Sequence, residues 1–230
     1  MKFLTLLKKE LREGIPWIIL SIIFLYVISW FIIRLTLIYH TEQFYFGMLV
    51  KGAVINRDLI FRKNIIQPVA VLLFYIYIIL AVILGLRHFT IPEFTRTWQF
   101  LIHRSVKKSH ILTSKLAAGG IIIFCLSLAW LILACLAGAS DKIVLPPDSS
   151  IILLGFFYGY LGFIVYAATG LCALTKARWF TTKSFPLIFI FIMYLMIFGQ
   201  IKFINAFLIT FAVLALLIIQ IYQTFLKREF

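Results

Sequence analysis

The stretch "IILLGFFYGYLGFIVYAATGLCAL", residues 151–174, runs for twenty-four residues without a single charge. About 20 apolar residues suffice for a helix to cross the hydrocarbon core of a bilayer, which is roughly 30 Å thick, because each residue adds about 1.5 Å. The stretch therefore predicts a membrane-spanning helix. Its glycines Gly155, Gly159 and Gly162 recur three and four residues apart and leave backbone uncovered along one face. That spacing favours close helix packing, within the bundle or across a dimer.

The rest of the chain has the same character. Hydrophobic residues make up 63% of the sequence and charged residues only 13%, which is too little polar surface to cover a soluble globule. We predict an all-α integral membrane protein with six transmembrane helices. The predicted spans are residues 15–39, 65–86, 116–139, 151–174, 185–200 and 203–226.

The N-terminal residues "MKFLTLLKKELRE" place Phe3, Leu4, Leu7 and Leu11 on one helical face and charged residues on the other. This pattern is typical of a helix that lies in the membrane interface. We expect an amphipathic interfacial helix over residues 1–14, a turn at Gly14-Ile15-Pro16, and a six-helix transmembrane domain over residues 15–230.

The distribution of basic residues predicts the orientation. With the N-terminus inside, fifteen of the 22 lysines and arginines fall on the cytoplasmic side and six outside, as the positive-inside rule requires. Both termini are then cytoplasmic, and we expect a multi-pass protein of the cell (inner, cytoplasmic) membrane. The net charge of +14 is explained by topology and by attraction to anionic membrane lipids, so nucleic acid is not an expected partner.

The predicted spans contain no carboxylate, because all eight acidic residues fall in predicted loops or tails. These are Glu10, Glu13, Glu42, Asp58, Glu93, Asp141, Asp148 and Glu229. Ion-driven transporters usually bind the coupling ion with an ionisable group near mid-membrane. We therefore expect that any uphill transport takes its energy from a partner. Arg34 is the one charge in a predicted span, and it either reaches the outer lipid headgroups or contacts an anionic substrate.

No motif in the sequence indicates an enzyme. A GxxxxGK[ST] phosphate loop, a GxSxG elbow and an HExxH zinc helix are all missing, and the four histidines are not spaced as a metal face. The three cysteines lie in predicted spans without CxxC spacing, which favours a packing role. We predict no catalytic residues, no metal site and no cofactor bound by this chain.

The long polar stretch "PEFTRTWQFLIHRSVKKSHILTSKL", residues 92–116, lies between the second and third predicted spans on the cytoplasmic side. Pro92 suits the first turn of a helix, and Phe94, Trp98, Leu101 and Ile102 recur at helical spacing beside basic residues. Such a helix can lie on lipid or fit a groove of another protein.

The chain resembles, over essentially its whole length, a permease subunit of the ATP-binding cassette (ABC) transporters of the type-2 exporter class. The resemblance rests on the N-terminal helix, the six spans and the loop at residues 87–115. In that family the loop carries an acidic residue, Gly-Thr, a Leu or Phe pair, Pro-x-Ser/Arg and Lys-Leu. This chain offers Glu93, Arg96-Thr97, Phe100-Leu101, Ser105, Lys107-Lys108 and Lys115-Leu116, with Arg96 in place of glycine and Ser105 in place of proline.

The resemblance implies a coupling helix in this loop that docks on a separate ABC ATPase subunit, where ATP and Mg would bind. The docking residues expected from it are Glu93, Thr97, Trp98, Phe100, Leu101 and Arg104. It also implies a second permease copy or a paralogue as partner. The alternatives are a membrane anchor or scaffold that recruits a soluble partner without transport, a lipid-modifying enzyme, and a membrane-tethered nucleic-acid binder.

Overall fold

A computed structural model describes the chain in six segments. These are residues 2–51, 66–95, 107–138, 149–175, 183–200 and 203–227. Over these segments the chain is helical and contains no strand. The elements are α1 (Lys2–Lys51), α2 (Ile66–Gly85), a π-helical turn (Leu86–Thr90), α3 (Ile91–Phe94), α4 (Lys108–Gly138), α5 (Ser149–Leu174), α6 (Phe185–Gln200) and α7 (Phe203–Lys227).

The predicted all-α membrane protein is confirmed in its coarser form. Within the described segments, five helices are long and apolar enough to cross a membrane, namely parts of α1, α2 with its extension, α4, α5 and α7. The apolar helix α6 has 16 residues and is shorter than these. Large apolar side chains such as Phe24, Phe189 and Phe211 are exposed, as expected of surfaces that face lipid.

The expected turn at Gly14-Ile15-Pro16 is wrong, because α1 continues through it. Pro16 lacks the N–H that would bond to the carbonyl of Arg12, but the helix accommodates this loss. Gly14 is buried against Ile122 of α4, where a side chain would clash, and this packing keeps the helix in place. At about 1.5 Å per residue, the 50 residues of α1 extend well beyond the roughly 30 Å of a bilayer core.

Helix α5 lies at the centre of the bundle and contacts α2, α4, α6 and α7, while α1 packs on α4 and α2. Its glycines face the neighbouring helices. Gly155 abuts Trp130, a β-carbon on Gly159 would lie 2.5 Å from Ser127 Oγ, and one on Gly162 would lie 3.1 Å from Tyr77 Cβ. These three glycines therefore pack inside the bundle against α2 and α4.

Pairs of contacting residues give the directions of the helices. Helices α1 and α4 run the same way, since Glu10 contacts Lys115 and the Tyr26 hydroxyl donates to the Ala129 carbonyl. Helices α4 and α5 run in opposite directions, because a β-carbon on Gly119 would meet Tyr166 whereas one on Gly159 would meet Ser127.

Helix α2 runs parallel to α5, as Gly85 meets Thr169 and Tyr77 meets Gly162. The start of α1, the end of α2, the start of α4 and the end of α5 consequently share one end of the bundle, which we call the loop end. Residues 96–106, which follow α3 and precede α4 in the sequence, lie outside the described segments.

Adjacent glycines of α4 provide a matched test of this packing. A β-carbon at Gly119 would overlap the ring of Tyr166, whose side chain is fully buried and cannot move aside, whereas one at Gly120 would lie 3.5 Å from Phe163, an ordinary contact. We expect Gly119→Ala to lower the free energy of unfolding by about 1 to 3 kcal/mol, and Gly120→Ala to leave it unchanged or raise it slightly. Thermal unfolding in detergent measures both, and equal effects would contradict the packing described.

Candidate functional site

Four polar side chains from four elements meet inside the loop end, and we call them the polar cluster. They are Glu10 of α1, His88 of the π-helical turn, Lys115 of α4 and Tyr166 of α5. Their exposed fractions are 5%, 0%, 3% and 0%. Ionisable groups are rarely buried this deeply unless they are paired, so the cluster is the leading candidate for a functional site in the described part of the chain.

An ion pair forms the strongest contact of the cluster. The Lys115 ammonium donates a hydrogen bond of 2.8 Å to Glu10 Oε1, and both side chains are almost completely shielded from solvent. A buried pair of this kind costs desolvation, and leaving one partner alone costs more, about 3 to 5 kcal/mol. The pair therefore holds the early part of α1 against the second turn of α4.

A chain of hydrogen bonds adds the other two elements. The Tyr166 hydroxyl donates to the backbone carbonyl of Lys115 at 2.7 Å, and His88 Nδ1 lies 2.8 Å from the same hydroxyl oxygen. The second ring nitrogen, His88 Nε2, lies 3.8 Å from Glu10 Oε2, too far for a direct hydrogen bond. Nε2 has no hydrogen-bond partner within the described segments although it is buried.

The edge of the cluster is more open to solvent. Glu13, one turn after Glu10, lies 3.8 Å from the Arg87 guanidinium and 3.9 Å from the Lys9 ammonium. The Arg87 side chain is 31% exposed and that of Glu13 is 40% exposed. Each of the buried residues Glu10 and His88 therefore has a partly exposed charged neighbour on its own element, Glu13 or Arg87.

Local packing explains why these side chains can meet. The π-helical turn presents both His88 and Phe89 to the interior, and Phe89 packs on Gly170 of α5. Gly119 leaves room on α4 for the ring of Tyr166, which Phe163 stacks against from the other side. The apolar surroundings exclude water, which strengthens each polar contact inside them.

The cluster corrects one expectation from the sequence. Glu10 was assigned to an interfacial tail, yet it is buried within an apolar helix that is long enough to span a membrane. The buried face of α1 differs in part from the expected one: Leu11 packs against the core as expected, but Leu4 is 66% exposed and Leu6, which was not assigned to that face, packs against the core.

A signal for Glu10 was present in the sequence. Leu6, Glu10, Gly14 and Ile18 recur every four residues, so a carboxylate shares a helix face with apolar and small residues. Lys115 was equally hard to place, because α4 begins at Lys108, eight residues before the expected start of the third span.

Most of the expected docking residues lie outside the described segments. Glu93 belongs to the short helix α3 and is partly exposed, and next to it Phe94 is 72% exposed. The docking residues that fall outside are Thr97, Trp98, Phe100, Leu101 and Arg104. Arg34 lies on α1, and its side chain is likewise outside the described part.

No family model matches the chain, no curated protein matches it, and no solved structure matches it.

The ion pair allows a direct test of its role. At about pH 8.5, above the titration range of histidine, we expect Glu10→Gln and Lys115→Met each to lower the free energy of unfolding by about 3 to 5 kcal/mol, because each leaves a buried charge uncompensated. The double variant, which removes both charges, should lose less than the sum of the two. Unfolding in detergent is measured for the wild type, the two single variants and the double variant, which together form a double-mutant cycle. Additive losses of free energy would show that the two groups do not interact.

Proposed function

We propose that this chain is the permease subunit of an ABC transporter of the type-2 exporter class. In this proposal it has six spans, places both termini in the cytoplasm and pairs with a second copy or a paralogue. A separate ATPase subunit binds ATP and Mg and docks on the coupling loop at residues 87–115. The chain itself performs no catalysis.

The observation that carries the proposal is the position of the polar cluster relative to the loop. His88 lies near the start of the loop, five residues before Glu93, and Lys115 is the last residue of the loop, two turns into α4. The cluster therefore connects the first and last parts of the loop to α1 through Glu10 and to α5 through Tyr166. Force applied to the loop by a partner is passed to four elements at once.

The buried carboxylate does not make the chain a self-powered pump. Glu10 lies about two turns from the start of α1 and is neutralised by Lys115 at 2.8 Å. An ion-coupling site is usually near mid-membrane and open to its ion. A partner that hydrolyses ATP remains the energy source in this proposal, and closure of that partner favours one arrangement of the bundle.

The orientation is the first element of the proposal to test. Thr95 is exposed at the end of α3, on the expected cytoplasmic side, and Ser149 begins α5 on the expected outer side. In a chain whose three cysteines are replaced by alanine, Thr95→Cys should react with a membrane-impermeant thiol reagent only in inside-out vesicles, and Ser149→Cys only in intact cells. The reverse pattern would place the loop outside and rule out a cytoplasmic ATPase partner.

Docking is tested by co-expressing this chain with a candidate ABC ATPase subunit. We expect Trp98→Ala combined with Arg104→Ala to weaken retention of the ATPase on membranes by more than about tenfold, since buried Trp and Arg anchors each contribute about 2 kcal/mol at interfaces.

The control has the same residue types in the other predicted cytoplasmic loop, Trp179→Ala with Arg178→Ala, and should keep the ATPase bound. Equal retention by both double variants would refute the docking site. Binding that persists in the wild type without any ATPase response to transport conditions would favour the scaffold alternative.

A further inference from the structure

The hydrogen atoms of the polar cluster can be assigned from its geometry. The Tyr166 hydroxyl has one proton, which it donates to the Lys115 carbonyl at 2.7 Å. At its 2.8 Å contact with His88 Nδ1 the hydroxyl must therefore accept, so Nδ1 carries a hydrogen. In a neutral imidazole the other nitrogen, Nε2, then has a free lone pair.

That lone pair faces a carboxylate. His88 Nε2 lies 3.8 Å from Glu10 Oε2, it is fully buried, and no hydrogen-bond donor within the described segments satisfies it. Two acceptors that face each other without a hydrogen between them leave a position that a proton would fill. With a proton on Nε2, the pair becomes imidazolium and carboxylate, and a modest approach of the two atoms would form a charge-assisted hydrogen bond.

Burial and the nearby positive charges of Lys115 and Arg87 disfavour a second positive charge on His88 while Lys115 is in place. Glu10 contacts His88 from α1 and Tyr166 contacts it from α5, Arg87 precedes it on its own element, and Lys115 holds the same carboxylate from α4; Glu13 and Lys9 lie further out on α1. The Lys115 ammonium already neutralises Glu10 at 2.8 Å. A second buried cation beside the same carboxylate would lack a counter-ion, which is costly in an apolar interior.

We propose that His88 and Glu10 form a proton-binding site that fills when Lys115 leaves Glu10. Lys115 departs as an ammonium with all three of its protons. One proton from solvent then bonds to His88 Nε2, and the resulting imidazolium pairs with the Glu10 carboxylate. The buried charge is the same before and after the exchange, so the helices can separate at this contact without stranding a carboxylate.

Lys115 and His88 approach Glu10 from different elements, α4 and the π-helical turn, so a shift of α4 along α1 would move the ammonium away from Glu10 without moving His88. Glu13 and Arg87, which are partly exposed, lie beside Glu10 and His88 on their own elements. The inference concerns this chain alone and does not depend on an ATPase partner.

The test removes the Lys115 ammonium and measures whether His88 then carries a second ring proton. Lys115→Met removes the charge from the full-length chain in lipid nanodiscs, with Lys115→Met/His88→Gln and Lys115→Met/Glu10→Gln as matched controls. The first readout is nitrogen NMR of labelled histidines, in which His88 is assigned by its loss in His88→Gln. In the wild type near pH 6 we expect neutral His88 with hydrogen on Nδ1, and in Lys115→Met the doubly protonated ring at the same pH.

The second readout is the dependence of the unfolding temperature on pH. A proton held by His88 in the folded Lys115→Met protein stabilises it at acidic pH, and this stability is lost as the pH rises from about 5.5 to about 8. We expect the unfolding temperature of Lys115→Met to fall more steeply over this range than that of the wild type. Both double variants should lose the additional slope.

The outcomes separate the possibilities. If the pH dependence of the unfolding temperature persists in Lys115→Met/His88→Gln, Glu10 itself takes the proton. If His88 is neutral in Lys115→Met, no exchange occurs. Either result overturns the proposal. If Lys115→Met does not fold at high pH, recovery near pH 5.5 that is absent from Lys115→Met/His88→Gln supports the proposal, because protonated His88 then replaces the ammonium. If both Lys115→Met and the milder Lys115→Gln fail to fold at about pH 5.5 and at about pH 8, the proposal is overturned.

Discussion

The buried pair of Glu10 and Lys115 is the contact on which the arrangement of the loop end depends. Apolar packing alone would let the helices slide, since lipid tails and apolar side chains offer similar surroundings. A single ion pair at 2.8 Å with exposed fractions near zero has one favourable geometry, and it fixes the register of α1 against α4. The hydrogen bonds of Tyr166 and His88 extend that register to α5 and to the end of α2.

The same contact changes the relation between the N-terminal residues and the rest of the bundle. An interfacial helix would rest on the membrane surface and move independently. In the structure, the first turns of α1 are instead inserted between elements that lead into and out of the loop, and Gly14 continues the close approach one turn further along. The N-terminal segment is thus a structural part of the polar cluster, although its composition suggests only a membrane anchor.

Much of the helical arrangement was predictable from hydropathy, because a bilayer permits few structures other than helices. The bounds of α2, α5, α6 and α7 agree with the expected spans to within two residues. The starts of α1 and α4 could not be found this way, since their polar first turns pair with each other across 105 residues of sequence. Hydropathy predicts that Glu10 and Lys115 are exposed to solvent because they are charged. Their burial is explained by the contact between the two, which are far apart in the sequence. For most of the docking residues, the structure leaves the sequence-based expectation as it was.

The π-helical turn at Leu86–Thr90 has a mechanical consequence for the loop. It holds one residue more per hydrogen-bonded ring than an α-helix, and such turns are often found at functional sites. A change of one residue in register amounts to about 100° of rotation around the helix axis. The rotational position of α3 relative to α2 therefore depends on the π-helical bonding of this turn, in which His88 lies.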